Sequence, residues 1–315
     1  MSVRMLICLA AVVATGSAAH DSREHDLPIL LAQAGEVRTT ATVATTGGNQ
    51  VSFTVSGGER VIAGNGLPNH ATGQFPGRGN PNKISAQSYD FRVPVNPKRA
   101  ATPTPARGAW FGVALNGVPF EPGTAEFWNN RREWNYEAKS GFIDLGLDAN
   151  NAHVQPTGAY HYHGLPSGLI EKLGGDAKTM LLVGYAADGF PIYTSAAHSV
   201  AMNAASPLKK MRSSFQVKKG ARPGSPDGPG GNYDGKFTAD FEYVKGSGDL
   251  DECNGRFGVT PEFPDGIYYY CITEEFPQLA RQWRGRPDAS FYKRGPGPGG
   301  RGPRRGNAPV NPSAG

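Results

Sequence analysis

Residues 159–166 read AYHYHGLP, and the conformation of this stretch governs how the rest of the chain is read. Aromatic hydroxyls and imidazoles alternate over four residues before a Gly-Leu-Pro turn. In an extended chain successive side chains point to opposite faces. A strand over Tyr160 to His163 therefore puts His161 and His163 on one face and Tyr160 and Tyr162 on the other. The two imidazoles then project toward a shared point, a geometry that suits a metal site, because neutral ring nitrogens meet a borderline cation at about 2.0–2.1 Å. The same pair on a half-exposed strand also has a plainer use, in hydrogen bonds to neighbours or water.

A metal site needs a third ligand. His153 precedes the pair by eight residues, and the Pro156-Thr157-Gly158 turn is placed to fold it back. His70, in NGLPNHATGQFP, is the other candidate and sits in a turn-rich loop. Copper and zinc are the ions these nitrogens suit best. His20 and His25 fall in the N-terminal segment, and His198 reads as an ordinary surface histidine.

Around this stretch the chain carries the punctuation of a β-rich domain. There are 43 Gly and 26 Pro in 315 residues, and long stripes of 3.6-residue period are scarce. Strands are expected over 88–95, 110–115, 160–163, 180–185, 237–243 and 266–273. Alternating β-branched runs on either side of Gly47-Gly48 suggest an N-terminal hairpin. Short helices are expected over 125–136, 167–173 and 278–283. The fold class is mainly β, a sandwich or distorted barrel with short inserted helices and long Gly/Pro-rich loops. One such loop, KKGARPGSPDGPGGNYD at 218–234, reads as a lid or an exposed insertion.

The ends differ from the body. Arg4, the apolar run Met5 to Thr15 and the small residues Ser17-Ala18-Ala19 form the pattern of a secretory signal peptide over 1–19. The mature protein is then exported, to the periplasm or the extracellular space, and no later segment is apolar over the length a membrane helix needs. The segment 20–59 precedes a main domain over 60–292. Residues 293–315 form a Gly/Pro/Arg-rich tail that carries five positive charges and no acid. The net charge is +5, and without those five the balance is 27 basic to 27 acidic residues. The basicity belongs to the tail, which suits contact with an anionic envelope polymer, and the body offers no case for nucleic-acid binding. Two cysteines remain after export, Cys253 and Cys271, and in an oxidising compartment such a pair is most simply a disulfide.

The stretch GAYHYHGLP, with LVGYAADGFPIY at 182–193 and DLDECNGRFGVTPEFPDGIYYYCIT at 249–273, resembles the YHYH-domain family of exported proteins. NGLPNHATGQFP at 65–76 and NGVPF at 116–120 extend the resemblance over most of 60–285. It implies a β-rich extracytoplasmic domain and names no reaction. The motifs fall on His153, His161, His163, Asp188, Asp249, Asp251, Glu252, Cys253 and Asn254. Members of the family often carry a cysteine beyond the second tyrosine-rich segment. Here Gln282 and Trp283 occupy that region, which leaves Cys271 as the replacement partner for Cys253.

Four carboxylates are candidates for supporting roles. Asp188, in a turn, either bonds local backbone amides or receives a ring N–H from a ligating histidine. Asp249 and Glu252, with Asp251, offer oxygens to a hard cation such as calcium, and Glu252 could act as a base beside a metal-bound water. TGAYHYHGLP and DGIYYYCITEEFP echo each other, but only the first carries imidazoles, so one asymmetric site is expected. Blue-copper, phosphate-loop, dinucleotide and nucleophile-elbow signatures are missing. Two function classes remain: an exported metal-binding protein, and a non-catalytic envelope or surface-binding module whose Tyr and His side chains line a groove for glycan or protein.

Overall fold

The computed structural model describes residues 39–42, 48–176 and 178–293. The expected signal peptide over 1–19, His20, His25 and tail residues 294–315 lie outside the described residues. The architecture is mainly β, in several sheets with a sandwich-like arrangement.

Four antiparallel strands, β1 (Thr39–Thr42), β2 (Val51–Ser56), β3 (Glu59–Gly64) and β4 (Tyr89–Pro94), form the first sheet in chain order. The β2–β3 turn uses Gly57 and Gly58, both at positive φ (60° and 81°), which gives the two-residue hairpin the twist its flanking strands need. Val51, Phe53, Ile62, Phe91 and Val93 alternate with more exposed neighbours and face the core.

After β5 (Arg99–Pro105) the chain enters the largest sheet through β6 (Gly112–Ala114), β7 (Pro119–Phe120), β8 (Ala152–Val154), β9 (Tyr160–Tyr162), β10 (Leu182–Ala186) and β11 (Pro191–Tyr193). Two small ladders follow, β12 (Ala196–His198) with β13 (Leu208–Lys210) and β14 (Phe215–Val217) with β15 (Phe241–Tyr243). The strands β16 (Gly255–Gly258) and β17 (Ile267–Cys271) then complete the large sheet, and β18 (Gln282–Gly285) returns to β5. The eight strands lie in the order β16-β17-β11-β10-β6-β7-β9-β8. Most pairs are antiparallel, but β7–β9 and β11–β17 are parallel. One core runs across both sheets, joining Phe53, Ile62 and Phe91 to Val113, Tyr162, Tyr185 and Ile192. Burying each of these large side chains contributes about 1.5–3 kcal/mol. At the centre Trp283 lies parallel to Phe111, ring centroids 6.0 Å apart, and its indole N–H donates to the Phe111 carbonyl at 2.8 Å.

The one α-helix among the described residues, α1 (Ser167–Lys172), falls where a helix is expected over 167–173. The other two expected helices do not form. Within 125–136 there is only a 3₁₀ turn at Trp128–Asn130, with Asn129 and Asn130 at positive φ. The Asn135 amide donates to the carbonyls of Thr124 and Glu126, satisfying locally the groups a helix would have used. Residues 278–283 lead into β18 instead, because Trp283 is pinned in the core and Gln282 pairs with Pro105. In 237–243 a 3₁₀ turn at Thr238–Asp240 precedes the strand. The loop 218–234 is tied down by Arg222, a buried guanidinium that donates to Asp240 at 2.6 and 2.8 Å and pairs with Asp234.

The disulfide is not present: Cys253 and Cys271 are both free and buried. The pleat explains the separation. Tyr270 points toward Asp188, and Cys271, the next residue in β17, points the other way and has Arg256 and Asp249 in its surroundings. Cys253 lies beside Tyr268, on the face of β17 that Tyr270 shares, with Asp251, Glu252, Arg284 and Asp188 around it; Asp251 is the one of these that also neighbours Cys271. Burial pushes the Cys271 thiol up to about 12, so it stays protonated.

Candidate metal centre

The centre is built on the hairpin β8–β9, at one edge of the large sheet. The register sets His153 opposite His161. Its turn closes through Gln155 N–H to the Ala159 carbonyl (2.9 Å) and Gly158 N–H to the Gln155 carbonyl (2.8 Å). Gly158 has φ +85°, and a Cβ there would lie 1.9 Å from Ser85 Oγ, so the tight return requires glycine.

Three ring nitrogens converge. His161 Nε2 is 3.0 Å from His163 Nε2, which is 3.1 Å from His153 Nε2. Among the described residues these three are the group whose ligand atoms all fall within 4.8 Å of one another. Their protonation follows from their other nitrogens. His153 Nδ1 is 2.7 Å from the Leu145 carbonyl and His161 Nδ1 is 3.1 Å from the Ala159 carbonyl. A carbonyl only accepts, so these contacts assign the proton to both Nδ1 atoms and point both Nε2 lone pairs inward; the Asn80 amide nitrogen, 3.3 Å from His153 Nδ1, makes its shorter contact with the Val154 carbonyl at 3.0 Å. His163 Nδ1 is buried with no hydrogen-bond partner. With its proton on Nε2, His163 serves one neighbour well and leaves the other lone pair facing it unmatched. A cation at the common point takes up all three Nε2 lone pairs, with the His163 proton then on Nδ1, a buried atom that has no acceptor.

Burial is the first cause holding all three imidazoles below the ordinary histidine value. His161 and His163 are held well below it, with mutual charge repulsion adding to burial. The rings are therefore neutral near pH 7, the form that ligates metals. His161 and His163 are only 1% and 4% exposed, while His153 reaches partial exposure on the edge strand.

The other sequence candidates lie elsewhere. His70 packs on the tyrosine face, its Nε2 2.6 Å from Tyr162 Oη and its Nδ1 2.9 Å from the Ala71 carbonyl. Asp188 is fully buried and accepts from Tyr270 Oη at 2.5 Å and Gly285 N–H at 2.7 Å, with burial pushing its carboxyl up to about 6. It holds no histidine ring. Asp249 binds Lys209 Nζ (2.6 Å) and the Arg212 N–H (2.9 Å), Asp251 accepts from Tyr268 Oη (2.9 Å), and Glu252 faces Arg284 (3.4 Å). Their carboxylates are spent on different partners.

Glu121 is the neighbour that sequence reading misses. It follows β7, whose parallel pairing sets Phe120 beside Tyr162, and its own N–H donates to the Tyr162 carbonyl at 2.9 Å. Glu121 Oε2 then lies 3.4 Å from His161 Nε2. It stands one residue past NGVPF, and only nonlocal strand pairing brings it here. Trp110 also packs against His161, ring centroids 5.6 Å apart.

A family model described as YHYH protein matches residues 90–285. Comparison with curated proteins and with solved structures returns no match.

Proposed function

From the premise that this chain belongs to the YHYH protein family, we propose that it is an exported protein that binds one transition-metal ion, copper or zinc, through His153, His161 and His163. The observation that carries the reading is the convergence of three imidazole Nε2 atoms, two with their tautomer fixed by backbone carbonyls. Two of the three donor spacings, 3.0 and 3.1 Å, are a little under the edge of about 3.4 Å that a tetrahedral site with bonds of about 2.1 Å requires, and the third lies within 4.8 Å. Outward movement of a few tenths of an ångström accommodates the ion. Three nitrogen donors and a protein oxygen nearby suit copper or zinc better than a hard cation. Export rests on the signal pattern at 1–19, and contact of the basic tail with an anionic envelope polymer rests on the charges over 293–315.

The surface-module alternative draws less support. Tyr160 and Tyr162 are 1% and 0% exposed, and Trp110 and Trp134 are buried, so these four offer no face to a glycan; Trp128, the third tryptophan of such a groove, is half-buried.

The test is to purify the protein without a histidine tag and measure bound metal by mass spectrometry, before and after His161→Ala plus His163→Ala. About one copper or zinc per wild-type chain, lost in the double variant, is the expected result. No tight copper or zinc in the wild type, even after reconstitution, would overturn the reading.

A further inference from the structure

The fourth position of the centre is the open question, and Glu121 bears on it directly. Its Oε2 faces His161 Nε2 at 3.4 Å. Because His161 Nδ1 gives its proton to the Ala159 carbonyl, that Nε2 presents a lone pair. A carboxylate oxygen and an imine nitrogen, both electron-rich, repel at this distance unless a cation sits between them. At this one corner the separation equals the donor-to-donor edge of about 3.4 Å in a tetrahedral site with bonds of about 2.1 Å; Glu121 stands outside the group whose ligand atoms all lie within 4.8 Å of one another, so ligation requires its carboxylate to close toward the other two imidazoles.

Two neighbours hold the carboxylate in place. Gln155 Nε2 donates to Oε2 at 2.5 Å, and Lys293 Nζ pairs with Oε1 while resting 4.0 Å over the Trp110 ring. Outer hydrogen bonds of this kind orient ligating carboxylates. Charge points the same way: three neutral imidazoles leave a divalent ion uncompensated in a largely buried site, and one carboxylate halves that deficit. Gln155 lies in the turn that returns His153, so one hairpin positions both the third imidazole and the acid.

We propose that Glu121 supplies the fourth ligand, a carboxylate oxygen at the His161 corner, so that the centre holds its ion with three nitrogens and one oxygen and has no open position at rest. An exogenous anion then binds only by displacing Glu121. This rests on the metal reading above and commits it to a closed site.

Cobalt(II) serves as the probe, because its visible bands report coordination number, with azide as the exogenous anion. The wild-type cobalt complex is expected to show intense four-coordinate bands that azide does not alter. Glu121→Gln is expected to bind cobalt tenfold to a hundredfold more weakly and to take up azide with a spectral change. Without metal the same variant should melt no lower than wild type, since the new amide can donate to His161 Nε2 and relieve the repulsion. Glu121→Asp, which keeps the charge but shortens the reach, should fall between the two. Wild-type affinity and bands in Glu121→Gln, or a wild-type complex that takes azide as readily as the variant, would overturn the assignment. A folded wild type that takes up neither cobalt nor copper nor zinc would instead sink the metal reading and the assignment with it.

Discussion

The two tyrosine-rich strands near opposite ends of the large sheet are built alike and finished differently. In β9, Tyr160 donates to Asp148 at 2.7 Å; in β17, Tyr268 donates to Asp251 at 2.9 Å. Each strand is paired antiparallel with an edge strand, β8 or β16. The position that is His161 in one is Tyr269 in the other, and its partner across the ladder is His153 in one and Arg256 in the other. Arg256 Nε donates to Tyr269 Oη at 2.7 Å, a matched pair that asks for nothing further. The three imidazoles cannot match themselves. The tyrosine frame is thus common scaffolding, and the side chains between the tyrosines decide whether the strand ends in a matched pair or in a cluster of facing ring nitrogens.

The sharpest way to break the comparison is to give β8 the residue of its counterpart. His153→Arg should lower copper or zinc affinity more than a hundredfold, measured by titration calorimetry, since it removes a ligand and adds a charge. At the other end, Asp188→Ala leaves Tyr270 Oη and the Gly285 N–H unsatisfied in the core. It should cost about 3 kcal/mol in urea unfolding with metal stoichiometry unchanged; loss of the metal would mean the two ends are coupled.

pH separates the ends by sign. The three histidines have folded values below their unfolded ones, so the unfolded chain takes up protons first. Their contribution is fully present above about pH 6.5 and is lost as pH falls below it. Asp188 has its folded value raised to about 6, so its contribution is present below the usual aspartate range and lost as pH rises toward 6. Metal-free unfolding midpoints from pH 4 to 8 should therefore gain from the histidines and lose from Asp188 as pH rises. Asp188→Asn should steepen the net rise, and a flatter curve in that variant would contradict the assignment. The smallest effect should come from a reductant. With Cys253 and Cys271 unbonded, dithiothreitol should leave the melting temperature unchanged, whereas a drop of several degrees would reveal a disulfide.

The strand over Tyr160 to His163 was legible because its residue types alternate with period two, tyrosines on one face and histidines on the other, although both faces turn out to be buried. His153 was legible because Pro156 and Gly158 mark a return. What stayed hidden depends on distant chain. Glu121 reaches His161 only through the parallel pairing of β7 with β9, and nothing near residue 121 announces that register. The strand at 282–285 resembles a short helix by composition until Trp283 finds its place against Phe111. Spacing suggested a bond between Cys253 and Cys271, but spacing does not say which face of a pleat each thiol takes. His70 drew attention by its residue type and is occupied by Tyr162 Oη.

The Gly158 hairpin also has a bearing on the order of assembly. The imidazoles of His153 and His163 are ten positions apart in the chain, whereas the Asp188 to Tyr270 bond spans 82. Closing a flexible loop costs, beyond a constant, about 2 kcal/mol for the shorter span and about 4 kcal/mol for the longer. The three nitrogens can therefore meet while the distant half of the sheet is still unformed.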